Sequence, residues 1–126
     1  MPPLTGVLET SLYVNDLENA TDFYRRVLGF EPIDTGDRLR ALRVTHRQIL
    51  LLFKKKASAD HDGDGRLHLA FAVPAEALPE WERRLAQQGV AVESRKAWER
   101  GGHSIYFRDP DHHLLELVTP GCWSIY

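Results

Sequence analysis

The chain has 126 residues, 43% hydrophobic and 27% charged, a composition typical of one compact domain. Its 16 basic and 18 acidic residues leave a net charge of −2 without a basic stripe beyond Lys54-Lys55-Lys56, so nucleic acid is not an expected partner. The longest apolar runs are about five residues, far below the roughly 20 that span a bilayer, and the N-terminus lacks a signal-peptide pattern. We therefore expect a cytoplasmic protein without a membrane partner. The single Cys122 excludes an intramolecular disulfide and a thiolate zinc site.

The first half of the chain predicts a β-α-β-β-β module over about residues 5–56. LETSLYV, residues 8–14, has the composition of a strand, and Asn15 or Asp16 can cap the helix that follows. Gly29 can end that helix in the left-handed conformation. Turn residues in EPIDTGD then separate further extended segments, RLRALRVTH and QILLLFKKK. The apolar positions of the helix have helical spacing: Leu17, Ala20, Phe23, Tyr24, Val27 and Leu28.

A polar linker, residues 57–66, follows this module. Asp60, Asp62 and Asp64 in it match the opening of a calcium-binding EF-hand loop. The twelfth position of such a loop requires a bidentate Glu, but Phe71 stands there in a strand-like run. We therefore reject a calcium loop.

The second half, about residues 67–120, repeats the order of the first. The strand LHLAFAV precedes the helical stretch PAEALPEWERRLAQQGV, in which Leu78, Trp81 and Leu85 are predicted to face inward and Gly89 to end the helix. AVESRKAW, HSIYFRD and LLELVTP are predicted strands. Each module of about 50 residues is too small to bury an adequate core alone. We expect a single domain, 1–126, whose modules close against each other or against a second chain. We therefore expect a homodimer.

Three polar residues on the predicted strands suggest a metal site. Glu116 lies in the apolar run LLELV, where an ionised carboxylate needs a partner, a proton or a metal. Glu9 and His68 occupy equivalent places at the start of the first strand of each module. Two carboxylates and an imidazole suit Mn²⁺, Fe²⁺, Ni²⁺, Co²⁺ or Zn²⁺. Taken singly, His68 is better explained by a hydrogen bond, Glu9 by solvent and Glu116 by an arginine ion pair; their matched places in the repeat are what favour a metal.

The stretches SLYVNDLENATDFYRRVLGF, HLAFAV and GGHSIYFRDPDHHLLELVTP together resemble the vicinal oxygen chelate superfamily, which includes glyoxalase I, extradiol dioxygenases, fosfomycin thiol transferases and bleomycin-binding proteins. The resemblance implies an α+β fold in which two β-α-β-β-β modules form curved mixed sheets around a metal cavity. That cavity is commonly shared across a homodimer. By position it implies His68 and Glu116 as metal ligands and places Glu9 where most members have His or Gln.

The resemblance to particular members is uneven. Glyoxalase I adds a fourth ligand, a Glu, on the last strand of the first module, where this chain has the apolar QILLLF. The fosfomycin enzymes match better, with Ser104 and Tyr106 at their substrate-side Ser and Tyr and Lys96 at a basic residue. Their basic residue after the final strand has no counterpart, since Ile125 stands near that place.

The leading hypothesis is a metal-dependent enzyme that binds a small oxygenated substrate and stabilises an oxyanion, as a lyase, isomerase, dioxygenase or thiol transferase. Glu9 or Glu116 would act as a base. The residues expected to contact substrate are Tyr106, Ser104, Tyr13, Ser11, Arg43 and Trp98.

Two alternatives remain open at this point. One is a metal-free dimeric protein that sequesters a ligand, as bleomycin-resistance proteins do, with a cleft formed by Trp98, Trp123, Tyr106 and Tyr126. The other is a structural dimer with an inactive site.

The turn DPDHH contains two adjacent histidines. His112 is expected to take the positive φ usual for glycine there, and His113 is expected to lie beside it at the surface. A zinc-protease motif from His112 to Glu116 is rejected because it requires a helix.

Overall fold

The computed structural model describes residues 1–57 and 65–126, which fall into two compact units, Met1–Gly65 and Arg66–Tyr126. The first unit contains β1 (Glu9–Val14), α1 (Leu17–Leu28), β2 (Glu31–Thr35), β3 (Leu39–Thr45) and β4 (Gln48–Lys54). The second contains β5 (His68–Ala72), a 3₁₀ turn (Ala75–Ala77), α2 (Leu78–Gln87), β6 (Ser94–Ala97), β7 (His103–Arg108) and β8 (Leu114–Val118). The predicted α+β repeat of β-α-β-β-β modules is therefore confirmed. The aspartates of the rejected calcium loop lie outside the described residues.

The two units have the same sheet topology. The strand order is β1-β4-β3-β2 in the first sheet and β5-β8-β7-β6 in the second. In each, the first strand pairs in parallel with the last, and the remaining pairs are antiparallel. No helix in the described part of the chain has both the length and the apolar character needed to cross a membrane.

In the first unit, α1 forms much as its sequence predicts. Asp16, the N-cap, accepts a hydrogen bond from the backbone N–H of Asn19 at 2.9 Å, and Gly29 ends the helix with φ 75°. Asp16 thus caps the helix, which settles the alternative with Asn15. The apolar face of α1 is buried, and so are Leu12 and Val14 of β1. Because strand side chains alternate, Glu9, Ser11 and Tyr13 lie on the opposite face of β1.

The stretch EPIDTGD differs from its prediction as a turn. Its first five residues form β2, and the bend is confined to residues 36–38. All five side chains are exposed, and the pairing with β3 shifts register between Pro32 and Asp34. A strand that contains Pro and has no buried side chain is tolerated at a sheet edge, where β2 lies.

In the second unit, α2 contributes less to the core than predicted. Leu85 is its one buried residue, whereas Leu78 and Trp81 are half-buried. Gly89 follows the helix with φ 71°, as expected. The core side of the sheet includes Ile105, Phe107, Leu115 and Leu117.

The two histidines of the DPDHH turn behave differently. His112 is exposed and has φ 65°, so its predicted left-handed conformation is confirmed. His113, by contrast, is fully buried: its Nδ1 accepts a hydrogen bond from the backbone N–H of Leu67 at 2.9 Å. Its own backbone N–H donates to Oδ1 of Asp109 at 2.9 Å. The prediction that His113 is a surface residue is therefore wrong, because its side chain ties the turn to the residue that precedes β5.

Candidate metal centre

The structure brings His68 and Glu116 together on the second sheet. His68 is the first residue of β5, and Glu116 is the middle residue of β8, the strand paired with β5. Nε2 of His68 lies 3.1 Å from Oε1 of Glu116. The His68 side chain is 48% exposed and that of Glu116 only 7%. A solvent-accessible imidazole nitrogen and an oxygen of a buried carboxylate therefore lie next to each other.

The tautomer of His68 follows from its second ring nitrogen. Nδ1 lies 3.0 Å from the carbonyl oxygen of Leu114, and a carbonyl can only accept, so Nδ1 carries a proton. In the neutral imidazole, Nε2 then presents a lone pair to the Glu116 carboxylate. Two acceptors at this distance require a proton or a cation between them. A backbone carbonyl on the remote nitrogen is also the usual support of a metal-binding His.

The spacing of these two atoms fits a divalent metal ion. Bonds of about 2.1 Å to nitrogen and oxygen at a right angle place the two ligand atoms about 3.0 Å apart. The observed 3.1 Å corresponds to this value. The positions of His68 and Glu116 are thus compatible with a divalent metal ion bound to both side chains.

A chain of hydrogen bonds supports the second oxygen of Glu116. The hydroxyl of Ser104 donates to Oε2 of Glu116 at 2.5 Å, and Nε1 of Trp98 donates to Oγ of Ser104 at 2.8 Å. Ser104 is 1% exposed. Nζ of Lys96 lies 3.9 Å from the centre of the Trp98 ring, a cation–π contact. Both Ser104 and Trp98 were predicted to contact substrate. In the structure, Ser104 bonds to Glu116 directly, and Trp98 is linked to Glu116 through Ser104.

Tyr106 completes the environment of the pair. It is the register partner of Glu116 on β7, and its ring centre lies 6.3 Å from that of His68 at an interplanar angle of 29°. Burial raises the pKa of the Tyr106 hydroxyl above its usual range, and the negative charge of Glu116 adds to the shift. The phenol therefore keeps its proton at neutral pH beside a carboxylate.

The first unit carries the remaining predicted site residues. Glu9, Ser11 and Tyr13 pair with Ile49, Leu51 and Phe53, and the Tyr13 ring stacks on that of Phe53 at 5.7 Å. Arg43 forms an exposed ion pair with Glu31 at 3.5 Å. Glu9 and His68 each begin the parallel ladder of their own sheet, as the repeat predicts. Over residues 1–57 and 65–126, no three His, Cys, Asp or Glu side chains form a metal-binding cluster.

The four aromatic residues of the ligand-sequestering hypothesis have separate roles. Trp98 and Tyr106 border the His68–Glu116 pair, whereas Trp123 is exposed. The Tyr126 hydroxyl lies within hydrogen-bond distance of the carbonyl oxygens of Val73 and Val118 and attaches the last residue to the ends of β5 and β8.

The link from Trp98 to Glu116 is the feature that sequence reasoning missed. Glu116 was predicted as a metal ligand and Trp98 as a substrate contact. No sequence motif relates a Trp directly after β6 to an acid on β8. The register supplies the missing information, since β7 carries Ser104 between the two strands.

Comparison with known proteins assigns the family. The model of the Glyoxalase/Bleomycin resistance protein/Dioxygenase superfamily matches residues 6–117. The chain belongs to this superfamily. The resemblance drawn from its strands and closing hairpin is thereby confirmed.

Three similar proteins illustrate the range of the superfamily. Metallothiol transferase FosB of Bacillus licheniformis is 30% identical over 117 residues, which cover 92% of this chain and 76% of that protein. The crystal structure of lactoylglutathione lyase from Agrobacterium tumefaciens has a TM-score of 0.87 and 30% identity, with 98% and 99% of the two chains covered. A mutant of the fosfomycin resistance protein FosX from Listeria monocytogenes, complexed with Mn(II) and 1S,2S-dihydroxypropylphosphonic acid, has a TM-score of 0.72 and 26% identity, with 91% and 90% covered.

Proposed function

We propose that this chain is a divalent-metal-dependent enzyme in which His68, Glu116 and Glu9 hold the metal and a small oxygenated substrate completes its coordination. The observation that carries the proposal is the 3.1 Å distance between Nε2 of His68 and Oε1 of Glu116, with Nδ1 of His68 at 3.0 Å from the Leu114 carbonyl oxygen. The Mn(II) in the FosX complex supports a divalent cation, and Mn²⁺, Fe²⁺, Ni²⁺, Co²⁺ and Zn²⁺ all accept such ligands.

Glu9 is proposed as the third ligand because of its place in the repeat. It begins β1 as His68 begins β5, and each residue pairs with the first ladder position of the last strand in its unit. Two carboxylates and a neutral imidazole balance the charge of a divalent ion. Three protein ligands also leave positions for substrate oxygens, as a catalytic metal site requires.

The bound metal would act as a Lewis acid toward a substrate oxygen. Tyr106 would donate a hydrogen bond to that oxygen, since its raised pKa keeps the phenol protonated. Of the two carboxylates proposed as bases, Glu116 has one oxygen engaged by Ser104. Glu9 is therefore the better candidate for moving a substrate proton.

The first unit supplies the remaining proposed substrate contacts. Ser11 and Tyr13 share the face of Glu9 and are proposed to contact substrate. Arg43, paired with Glu31, is proposed only as an outer contact.

The substrate class can be narrowed by direct assay. The relatives include a metallothiol transferase and a lactoylglutathione lyase, and Ser104, Tyr106 and Lys96 stand at positions that resemble those of the fosfomycin enzymes. We therefore propose a small anionic substrate. Fosfomycin with and without an added thiol, and lactoylglutathione, are the compounds to assay first. Turnover of lactoylglutathione alone would move the assignment to a lyase.

Metal binding is tested with protein purified without added metal. Elemental analysis is followed by titration with each of the five metal ions while the melting temperature is recorded. A ligand present at 100 times its Kd stabilises the folded state by about 2.7 kcal/mol, a shift that is readily measured. Glu116→Gln, which keeps the size of the side chain, is expected to abolish the shift. The control is Asp22→Asn, which removes an exposed carboxylate on α1.

Two results would contradict the proposal. One is the absence of stabilisation by every metal, and the other is normal metal binding by Glu116→Gln. In the first case, quenching of tryptophan fluorescence by a planar antibiotic without metal would favour the ligand-sequestering alternative.

We also propose that the protein is a homodimer with shared sites. Leu4, Val7 and Leu8, directly before Glu9, are exposed in the single chain and are suited to pack against a second copy. The test mixes Glu9→Ala with Glu116→Ala after joint unfolding and refolding. If Glu9 of one chain serves His68 and Glu116 of the other, half of the mixed dimer's sites are intact and metal binding reappears. If all three ligands come from one chain, the mixture binds no more metal than the separate variants.

A further inference from the structure

We propose that Trp98 is a positioning residue whose indole N–H, acting through Ser104, holds the Glu116 carboxylate so that Oε1 is the oxygen presented to the metal. The inference rests on the proposed metal-binding function and adds a residue to it. Trp98 is linked to Glu116 through one group, the Ser104 hydroxyl, which bonds to both residues.

The direction of the hydrogen bonds is determined by the chemistry of the three groups. An indole N–H can only donate, and an ionised carboxylate can only accept. The Ser104 hydroxyl has one proton and two lone pairs, so it accepts from Trp98 and gives its proton to Oε2 of Glu116. Hydrogen bonds arranged in this way polarise one another and strengthen the last donor.

The indole is itself held in place. Trp98 directly follows β6, its backbone N–H donates to the carbonyl of Gly102 at 2.8 Å, and its carbonyl accepts from Gly101 at 3.0 Å. The ring lies under the ammonium group of Lys96 at 3.9 Å. A side-chain carbon at Gly102 would come within 2.8 Å of the Pro120 carbonyl oxygen, so this loop packs closely on the segment after β8.

The consequence for Glu116 is a restriction of its carboxylate rotation. With Oε2 held by Ser104, the other oxygen, Oε1, lies 3.1 Å from Nε2 of His68. Without the indole, the Ser104 hydroxyl can rotate and its bond to Oε2 weakens. The carboxylate then has to be ordered when the metal binds, and affinity falls.

A double-mutant cycle tests the inference. The variants are Trp98→Phe, which keeps an aromatic ring but removes the N–H, Ser104→Ala, and the two combined. The readout is Mn²⁺ affinity in competition with a chelating dye. Loss of a residue that supports a metal ligand typically lowers affinity about 10- to 100-fold. We expect Ser104→Ala to fall in this range and Trp98→Phe to lose about 3- to 10-fold. The double variant should bind as Ser104→Ala does, because Trp98 acts only through Ser104.

The matched control is Trp81→Phe on α2, which should leave Mn²⁺ affinity unchanged. Additive losses in the double variant would overturn the inference, since they would mean that Trp98 acts by another route. Unchanged affinity in Trp98→Phe would overturn it as well. If the wild type binds no metal, the proposed function fails and the inference falls with it, so the two failures are distinguished by the wild-type titration.

A second measurement covers the case in which Trp98→Phe does not fold. The indole N–H resonance of Trp98 is followed by NMR in ¹⁵N-labelled wild type as Zn²⁺ is added. A shift that is absent from Glu116→Gln supports the inference. An indole resonance that does not respond in a wild type that binds Zn²⁺ overturns it.

Discussion

Replacement of the buried His113 by leucine is expected to destabilise the second unit. The imidazole is fully buried, and Nδ1 is the acceptor for the backbone N–H of Leu67 at 2.9 Å. Leucine is similar in size but offers no acceptor, so the hydrogen bond to Leu67 is lost while most of the packing volume is kept. A lost bond and an N–H left without a partner together amount to about 1–3 kcal/mol. Part of the N–H penalty is relieved by solvent, since Leu67 is itself exposed.

The assay is equilibrium unfolding in urea. With a slope of about 2 kcal/mol per molar urea, a loss of about 2 kcal/mol lowers the midpoint by about 1 M. His46→Leu, at an exposed histidine in the turn before β4, is the matched control and should stay within about 0.5 kcal/mol of the wild type. If His113→Leu is as stable as His46→Leu, the hydrogen bond to Leu67 does not hold the turn and the reasoning is refuted.

Two further predictions concern backbone packing and charge. Gly121→Ala should destabilise by about 2 kcal/mol or more, because φ is 113° and the new carbon would lie 2.5 Å from the backbone nitrogen of Gly102; an unchanged melting temperature would contradict this. A hydrogen bond from Arg108 lowers the pKa of Glu93. The ionised carboxylate therefore stabilises the fold at pH values above the ordinary glutamate pKa of about 4.3. This stabilisation is lost as the pH falls through the lowered pKa. Urea midpoints of Glu93→Gln should therefore fall below those of the wild type near neutral pH and converge with them in acid, and a pH-independent difference would argue against the ion pair.

Local patterns predicted most of the fold correctly. The spacing of apolar residues located α1, and a side-chain acceptor and a glycine at its ends gave both boundaries, because these interactions form within one turn of chain. The pattern failed at β2, whose side chains are all exposed. An edge strand has no buried face to impose alternation, so its residues resemble those of a turn.

The histidines of the DPDHH turn show where local chemistry stops being sufficient. The positive φ of His112 depends on the four or five residues of the turn itself and could be predicted. The burial of His113 depends on Leu67, 46 positions earlier in the chain. The same limit separates the parts of the candidate site. The repeat pointed to Glu9 and His68 and the apolar run to Glu116, whereas the role of Trp98 required the register of β6, β7 and β8.

The repeat also indicates how many metal ions each chain should bind. In the second unit, Glu116 pairs with the residue two places after His68; in the first unit, Leu51 pairs with Ser11, two places after Glu9. Leu51 therefore occupies the position of Glu116, and β4 has no carboxylate there to make a second pair. Glyoxalase I has a Glu as a fourth ligand on this strand; with leucine there, the three proposed ligands remain for a single site. We expect one metal ion per chain whether the ligands come from one copy or two. A measured ratio of two per chain would mean that Glu9 belongs to a site of its own.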